Sequence, residues 1–218
     1  MKFHNLHQNF PGIETTVIYD PKQTAHKGSF KMALIHCSTS KIVVGEGTRV
    51  CLKHCFNCDV TNGEKLMYCK DKQFEELSQE LNCLLWARIM LRLVYDYIDS
   101  ANKSSGSVPP FSILKLRFID AALAVVTAAD GREEFYMIEE LIPENHGWSF
   151  TKYICNNSAV PLLSNNLESR HTAERNCCAC FLSFAQHIQY IQTSSLAFTS
   201  DFQGANHLLT DPQIITNP

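Results

Sequence analysis

The stretch SDFQGANHLLTDPQIITNP, residues 200–218, combines residue types that can handle a hydroxyl group and a cation. Asp201 and Gln203 lie where a short predicted strand exits to a loop, and Gly204 permits a backbone conformation that other residues rarely adopt. A carboxylate at the exit of a strand can orient a hydroxyl nucleophile or accept its proton. Asp211, which precedes a proline, can hold a cation or a nucleotide. Taken alone, the stretch is explained more simply as a strand end followed by an Asp-Pro turn.

Lys53 is a second candidate, at the end of the apolar run VCLK and downstream of the glycine-containing KGSFK. A lysine that projects from a strand beneath a flexible turn can bind nucleotide phosphates. On spacing alone this assignment is weak, because most lysines on strands simply reach solvent.

Two further segments contain residues that could bind a purine or a metal ion. FYMIEELIP is an apolar strand that ends in two acids and a proline, and a strand leaving one lobe for another offers its backbone to a flat purine. Its acids are explained equally well as solvated. His187 lies in a helical pattern beside Gln186 and Gln189. A lone helical histidine is more often a surface or hydrogen-bonded core residue than a metal ligand.

Ten cysteines are unusual in a chain whose N-terminus, MKFHNLHQNFPGIETT, lacks the apolar region of a signal peptide. We therefore expect reduced thiols, with Cys37, Cys51 and Cys83 as small buried side chains. The clusters CLKHCFNC and CCAC contain metal-ligating residues but lack the paired C-x2-C spacing typical of zinc sites. Their possible ligands are Cys51, His54, Cys55 and Cys58 in the first, and Cys177, Cys178 and Cys180 in the second.

The composition excludes several classes of protein. The 218 residues are 45% hydrophobic with a net charge of −3, so no basic excess indicates a nucleic-acid partner. No segment approaches the roughly 18 uninterrupted apolar residues that a membrane span needs. A protein of the cytoplasm or the nucleus is therefore the default expectation.

The elements that must position these residues follow an α+β order. GSFKMALIHC and TRVCLKHCFN are typical of strands around the turn GEG, and a long amphipathic helix extends from about Asp71 to Ser100. A hairpin around Asp130-Gly131, a helix in CFLSFAQHIQYIQ and a strand in SLAFTSDFQG follow. The residues expected on the buried face of the long helix are Phe74, Leu77, Leu81, Leu84, Leu85, Ile89, Val94 and Ile98.

In this order the segments resemble the alpha-type (atypical) protein kinases from about Gly28 to the end of the chain. DFQGANHLLTDPQI resembles the family signature D-x-Q-G-x5-T-D-P-Q-I. MIEELIPENHGWSFTKYICNNS is similar to the family's hinge strand followed by aromatic-Lys-Tyr and an Asn-rich stretch. GSFKMALIHC and RVCLKHCF resemble the N-lobe loop and the strand that carries the phosphate-binding lysine. The resemblance implies a two-lobed protein kinase-like fold.

The resemblance also implies roles for individual residues at the phosphoryl-transfer site. Asp201 would be the catalytic residue facing the substrate hydroxyl, and Gln203 its companion at the phosphate and metal. Asp211 would contact the nucleotide or magnesium. The implied activity is transfer of the γ-phosphoryl group of Mg-ATP to a serine or threonine of a protein substrate.

Four more residues take roles on the same basis. Lys53 would pair with the phosphates, Lys31 lies where the family loop often has a basic residue, and Glu139, with the backbone after it, would meet the adenine. His187 precedes Asp201 by 14 residues, similar to the family's first zinc-ligating histidine.

Some family features are absent or altered in this sequence. The family's glycine- and Asn-containing loop and its H-x-C-x3-C zinc segment come after the T-D-P motif, whereas this sequence ends at Pro218. We therefore expect a C-terminally shortened domain with an incomplete zinc ligand set, and CCAC, placed before the helix, is not expected to complete it. Glu76 and Glu80 fall on the polar stripe of the long helix, so no helical acid is expected to pair with Lys53.

The predicted organisation is an N-terminal extension (1–25), an N-lobe (26–142) and a partial C-lobe (143–218) that carries the catalytic loop. The predicted function is a serine/threonine protein kinase of the alpha type that uses ATP and magnesium. Two alternatives stay open. One is an inactive kinase-like module that binds nucleotide or protein, and the other is a zinc-stabilised interaction protein that uses the cysteine clusters.

Overall fold

A computed structural model gives the fold of the chain. Its helices are α1 (Lys70–Ser105) and α2 (Arg170–Gln192), and no helix in the described part of the chain is long and apolar enough to cross a membrane. The described residues are 17–18, 26–27, 31–38, 49–58, 65–106, 113–127, 131–142, 150–164 and 170–217.

Thirteen short strands connect these residues into three sheets. Those that precede the second helix are β1 (Val17–Ile18), β2 (His26–Lys27), β3 (Lys31–Ser38), β4 (Arg49–Cys58), β5 (Lys65–Met67), β6 (Arg117–Phe118), β7 (Ala121–Thr127), β8 (Glu133–Glu140) and β9 (Thr151–Lys152). Those that follow it are β10 (Ala197–Ser200), β11 (Gln203–Ala205), β12 (Leu208–Thr210) and β13 (Gln213–Thr216).

The largest sheet is antiparallel and has the order β1-β3-β4-β8-β7, with β2 and β5 on its margins. The two predicted N-terminal strands and the predicted hairpin are confirmed as β3, β4 and β7–β8. These strands could be predicted because their apolar residues alternate or cluster in the way that is typical of strands. β1 lies within the predicted N-terminal extension and pairs with β3. The GEG turn and Asp130 lie outside the described residues.

α1 packs across one face of this sheet, and the predicted long helix is confirmed with five more residues at its C-terminal end. Acidic Asp71 lies in its first turn and basic Lys103 in its last, which complements the helix dipole. The predicted buried face is wrong in part: the side chains of Leu85 and Ile89 are 45% and 59% exposed. The buried side is centred on Gln73, Leu77, Leu84, Ala87, Met90, Leu91, Val94 and Ile98.

The remaining chain forms a four-stranded sheet, β6-β12-β11-β9, and a two-stranded sheet, β10-β13. α2 packs beside β10 and α1. It begins ten residues before the predicted helix, so the CCAC cluster lies inside the helix and not in front of it. The first turns of α2 were not predicted, because the residues before the cluster are mostly polar and show no helical period of apolar side chains.

The main core joins the two parts of the chain. In this core, residues of α1 and the large sheet pack against aromatic side chains from the four-stranded sheet and the residues next to its strands. These are chiefly Phe118, Tyr153 and Phe202. β6 comes from the predicted N-lobe, yet it pairs in parallel with β12 of the predicted C-lobe. The boundary predicted near Pro143 lies outside the described residues and stays a prediction.

Candidate functional site

The side chain of Lys53 is the centre of a buried ion cluster. It projects from β4, and its Nζ lies 2.8 Å from both Glu139 Oε2 and Asp211 Oδ1. Glu139 is on the neighbouring strand β8, where the register places Cys51 opposite it. Asp211 comes from the far end of the chain, directly after β12. Three distant segments therefore converge on one ammonium group.

Lys31 brings a second positive charge to the same cluster. On antiparallel β3 and β4, Ala33 faces Lys53 and Lys31 faces Cys55, so the period-two alternation places both lysines on one face of the sheet. Lys31 Nζ lies 3.2 Å from Asp211 Oδ1 and 2.5 Å from Glu80 Oε1. The cluster thus contains two lysines and three carboxylates.

Glu80 corrects one expectation directly. Its carboxylate lies 3.9 Å from Lys53 Nζ as well as in contact with Lys31, although the helical pattern placed Glu80 on the polar stripe. Glu80 is three residues after Leu77 and four before Leu84, both buried, so it belongs to the sheet-facing side of α1. The helix does supply an acid to the lysines.

Burial and charge shift the pKa values of these groups in opposite directions. Burial raises the pKa of Glu139 to about 7, although Lys53 attracts its ionised form. Burial also opposes ionisation of Asp211, but the charges and hydrogen bonds of Lys53 and Lys31 hold its pKa below its ordinary value. Burial lowers the pKa of Lys53 less than Glu139, Asp211 and Glu80 raise it. Both lysines keep raised pKa values and stay charged at neutral pH.

Asp201 forms a separate charged pair beside this cluster. It follows β10 with a left-handed φ of 59°, and its buried Oδ1 lies 2.7 Å from Lys152 Nζ of β9. This contact is a charge pair without hydrogen-bond geometry, since the same oxygen has no hydrogen-bond partner in the described part of the chain. Lys152 was not predicted as a site residue. The TKY triplet alone gives it no special spacing.

The β11–β12 hairpin presents two acids at the same end. Gln203 pairs with Thr210, while Asp201 lies two residues before Gln203 and Asp211 directly follows Thr210. Gly204 makes the tight hairpin possible: a Cβ atom there would lie 1.9 Å from the carbonyl oxygen of Leu208. The predicted unusual backbone at Gly204 is confirmed by its φ of 156°.

Glutamine side chains hold both site strands against the helices. Gln189 Oε1 accepts a hydrogen bond from the Thr199 backbone N–H at 2.7 Å, and Gln186 Nε2 donates to the Thr199 carbonyl at 2.9 Å. In α1, Gln73 does the same for β4, with bonds of 3.1 and 2.7 Å to the N–H and carbonyl of Cys55. Each backbone residue held in this way lies two positions from a charged site residue, Asp201 or Lys53.

Comparison with known proteins identifies the family of this chain. A model of the alpha-kinase family matches residues 27–218. The chain belongs to the alpha-kinase family. The signature residues Asp201, Gln203 and Asp211, which carried the resemblance, lie together on and beside one hairpin, and the predicted family membership is confirmed.

Solved structures of the alpha-kinase domain of myosin-II heavy chain kinase A are similar to this chain. The apoenzyme has 16% identity and a TM-score of 0.52, covering 93% of this chain and 74% of that one. The inactive domain in complex with ATP has 16% identity and a TM-score of 0.52, covering 93% and 76%. The AMP-PNP complex has 18% identity and a TM-score of 0.50, covering 93% and 74%. At these identities the likeness establishes a common fold. No curated protein matches the chain.

The alpha-kinase resemblance also predicted zinc at His187, which lies on the exposed side of α2. Among the described residues, the one group of three potential metal ligands within 4.8 Å of one another is Glu80, Glu139 and Asp211. His187 has no companion ligands in that part of the chain, and the cysteines whose side chains are described form no such group. A zinc site at His187 therefore stays a prediction.

The cysteines with described side chains are free thiols. Cys51 and Cys55 are buried, and burial raises the pKa of each thiol to about 11. Cys83 is half-buried, whereas burial was expected. The Cys37 side chain lies outside the described residues.

The predicted hinge strand of the alpha-kinase fold is β8, and its two terminal acids have different partners. The Glu139 side chain points into the ion cluster, so its contact with adenine stays a prediction. Glu140 is held by both guanidinium nitrogens of Arg117 on β6, each at 2.6 Å. This bidentate pair connects the large sheet to the smaller one at the point where β8 ends.

Proposed function

We propose that this member of the alpha-kinase family is a protein kinase that transfers the γ-phosphoryl group of Mg-ATP to a serine or threonine hydroxyl. The observation that carries the proposal is the convergence of Lys53 with Asp211 at one buried site, 2.8 Å apart, beside the hairpin that also presents Asp201. Phosphoryl transfer depends mainly on positioning and charge neutralisation, and this site contains groups for both.

The two lysines are suited to binding phosphate oxygens. Lys53 and Lys31 stay charged, and their ammonium groups already bind carboxylate oxygens, which phosphate oxygens resemble as acceptors. We infer that nucleotide phosphates replace part of these carboxylate contacts. The purine would then lie against the end of β8, near Glu139 and the backbone after it.

The donor set also fits magnesium. Asp211 and Gln203 offer carboxylate and amide oxygens, the ligand types that magnesium takes in proteins. Two buried oxygens at this end of the hairpin, Asp201 Oδ1 and Thr210 Oγ1, have no hydrogen-bond partner in the described part of the chain. We propose Asp211 and Gln203 as the residues that hold magnesium, which when bound would neutralise phosphate charge.

Asp201 would orient the substrate hydroxyl and accept its proton. The left-handed backbone at Asp201 turns its side chain out of the strand path, and Lys152 holds one carboxylate oxygen by charge. Lys152 is then a positioning residue, because it acts through Asp201.

The related structures support the nucleotide part of the proposal. Solved alpha-kinase domains of myosin heavy chain kinase A include complexes with ATP, ADP, adenosine, AMP and AMP-PNP. We propose the same class of ligand for this chain. We further propose the lobes as residues 26–142 and 143–218, with the nucleotide between them.

Phosphoryl transfer from γ-labelled ATP to a mixed-sequence protein such as casein tests the activity. We expect Asp201→Asn to lower the rate at least 100-fold while ATP binding, measured by calorimetry, changes less than threefold. Asp99→Asn is the matched control, since Asp99 is an exposed acid on α1, and it should leave both unchanged. Transfer that survives Asp201→Asn contradicts the catalytic assignment.

The second candidate is a nucleotide-binding module without transfer activity. The observation that favours it is the excess of carboxylates, three against two lysines, which phosphates must displace. ATP binding that is lost in Lys53→Met, together with no transfer by the unaltered chain, would establish this module. Measured transfer in the unaltered chain excludes it.

A further inference from the structure

A cleft of about 520 Å³ lies between the C-terminal end of α1 and the first half of α2. It is separate from the ion cluster. Ile98 in its wall is 18 residues from Glu80 on the same helix, which corresponds to roughly 27 Å at 1.5 Å per residue. Its volume is typical of sites that bind small molecules.

The lining of this cleft is apolar and aromatic. Tyr97 comes from α1 and Phe181 and Phe184 from α2, and the two phenylalanine rings lie 6.3 Å apart. Among the described residues that line the cleft, Asn102 supplies the one side-chain amide, and none carries a charge. An uncharged ligand with an extended apolar part matches this lining, because a charged one would lose its hydration without a partner.

The cleft also contains two thiols. Cys177 and Cys180 are three residues apart on α2 and share a face of the helix, and both are exposed and line the cleft. Cys178, between them, is buried in the core, and burial raises the pKa of its thiol to about 12. Of the three cysteines in CCAC, the outer two are therefore the available nucleophiles.

We propose that this cleft binds apolar α,β-unsaturated aldehydes and that Cys177 or Cys180 forms the adduct. The thiolate, which is the nucleophilic form of cysteine, forms a bond from sulfur to the β-carbon of the enal. The electrons of the carbon–carbon double bond move to give the enolate. The α-carbon then takes up a proton from water, and no group leaves.

Selectivity comes from the tail of the aldehyde, which occupies the aromatic part of the cleft before the reaction. Each methylene group that becomes buried strengthens binding about fourfold. A bound electrophile beside a thiol also reacts faster than one free in solution. A long-chain enal should therefore react selectively at this pair, whereas a short one should react with exposed thiols in general.

The test compares trans-2-nonenal with acrolein, which has the same reactive group and no tail. Rates of adduct formation are measured by mass spectrometry of peptides containing Cys177 and Cys180 and of a peptide containing Cys69, an exposed thiol outside the cleft. We expect the nonenal-to-acrolein rate ratio to be at least tenfold higher at the cleft thiols than at Cys69. Equal ratios at both places overturn the proposal.

A pair of substitutions on α2 separates binding in the cleft from general exposure. Phe184→Ala removes a cleft wall and should lower the ratio at the cleft thiols at least threefold, with acrolein rates unchanged. Ile191→Ala, an exposed apolar residue outside the cleft, should leave the ratio as it was. Tyr97→Leu repeats the first test from α1. Ratios unaffected by both cleft variants would overturn the proposal.

Discussion

The Nζ atom of Lys53 lies 2.8 Å from Oδ1 of Asp211, and 158 residues separate the two in the chain. This contact belongs to the ion cluster, in which Glu139 also binds Lys53 and Glu80 binds Lys31. Because the ammonium group neutralises carboxylates from separate segments, its removal affects stability as well as any ligand. The first three predictions concern this cluster.

Substitution Lys53→Met should lower the free energy of unfolding by about 3 kcal/mol, because it leaves buried carboxylates without their main counter-charge. Urea denaturation followed by circular dichroism measures the change. Lys72→Met is the control: Lys72 is a half-exposed lysine on α1 whose pairs are with Glu75 and Glu76, and its loss should leave the free energy of unfolding nearly unchanged.

A double substitution tests the origin of that loss. Lys53→Met combined with Glu139→Gln removes both members of the shortest buried pair on β4 and β8. We expect at least half of the lost stability to return, since the remaining carboxylates, Asp211 and Glu80, still have Lys31. If the two substitutions are simply additive, buried charge is not the cause.

The pH dependence of stability should differ between the unaltered chain and Glu139→Gln. Burial raises the pKa of Glu139 from about 4.5 to about 7, so between these pH values the folded protein keeps a proton that the unfolded chain releases. Its contribution to stability is complete below pH 4.5 and is lost as pH rises through 7. The difference between the two proteins should change by up to about 3 kcal/mol over this interval.

Urea denaturation at half-unit steps from pH 4.5 to 8 measures this difference. The stability of the unaltered chain should fall relative to that of Glu139→Gln as pH rises. Asp211 has the opposite shift, so over this interval its carboxyl is largely ionised in both the folded and the unfolded chain and adds little slope of its own. Parallel curves for the two proteins would show that Glu139 titrates normally.

Gly204→Ala should prevent the β11–β12 hairpin from closing. A Cβ atom at this position would meet the backbone of Leu208, at 1.9 Å from its carbonyl oxygen, and backbone cannot move aside as a side chain can. Gly131→Ala is the control, with a φ of 80° but no atom within 4 Å of the added Cβ. We expect a loss of about 1 kcal/mol at Gly131 and a loss more than twice as large at Gly204 in thermal denaturation.

Gln189→Leu should destabilise the chain by about 1–3 kcal/mol, because it removes the acceptor of the buried Thr199 N–H. Gln192→Leu makes the same change on the same helix at an exposed position and should be nearly neutral. Amide hydrogen exchange at Thr199 provides a direct measurement. Unchanged protection of this N–H in Gln189→Leu would mean that the side-chain bond does not hold the strand.

Elements whose patterns are local could be predicted from the sequence, namely β3, β4, the β7–β8 hairpin and most of α1. The apolar period and the Asp-Gly turn act within a few residues and need no knowledge of the rest of the chain. The site residues Lys53, Asp201 and Asp211 followed from motif resemblance. Their convergence was not visible in spacing alone.

The errors concern polar residues whose partners are distant in sequence. The helical pattern predicts Glu80 on the polar stripe of α1, but two lysines from the sheet lie opposite it. Gln186 and Gln189 are buried for the same reason, since each bonds to a strand that follows the helix. Hydropathy cannot identify a polar group whose partner is supplied by the fold.

The hydrogen bonds from α2 to Thr199 have a consequence for the behaviour of the chain in concentrated solution. β10 pairs with β13 on one side, and on the other side Gln186 and Gln189 occupy both backbone groups of Thr199. An incoming strand from another molecule would have to displace two buried amides to extend this sheet. The glutamines therefore protect a strand edge from intermolecular pairing, directly before the candidate catalytic residue Asp201.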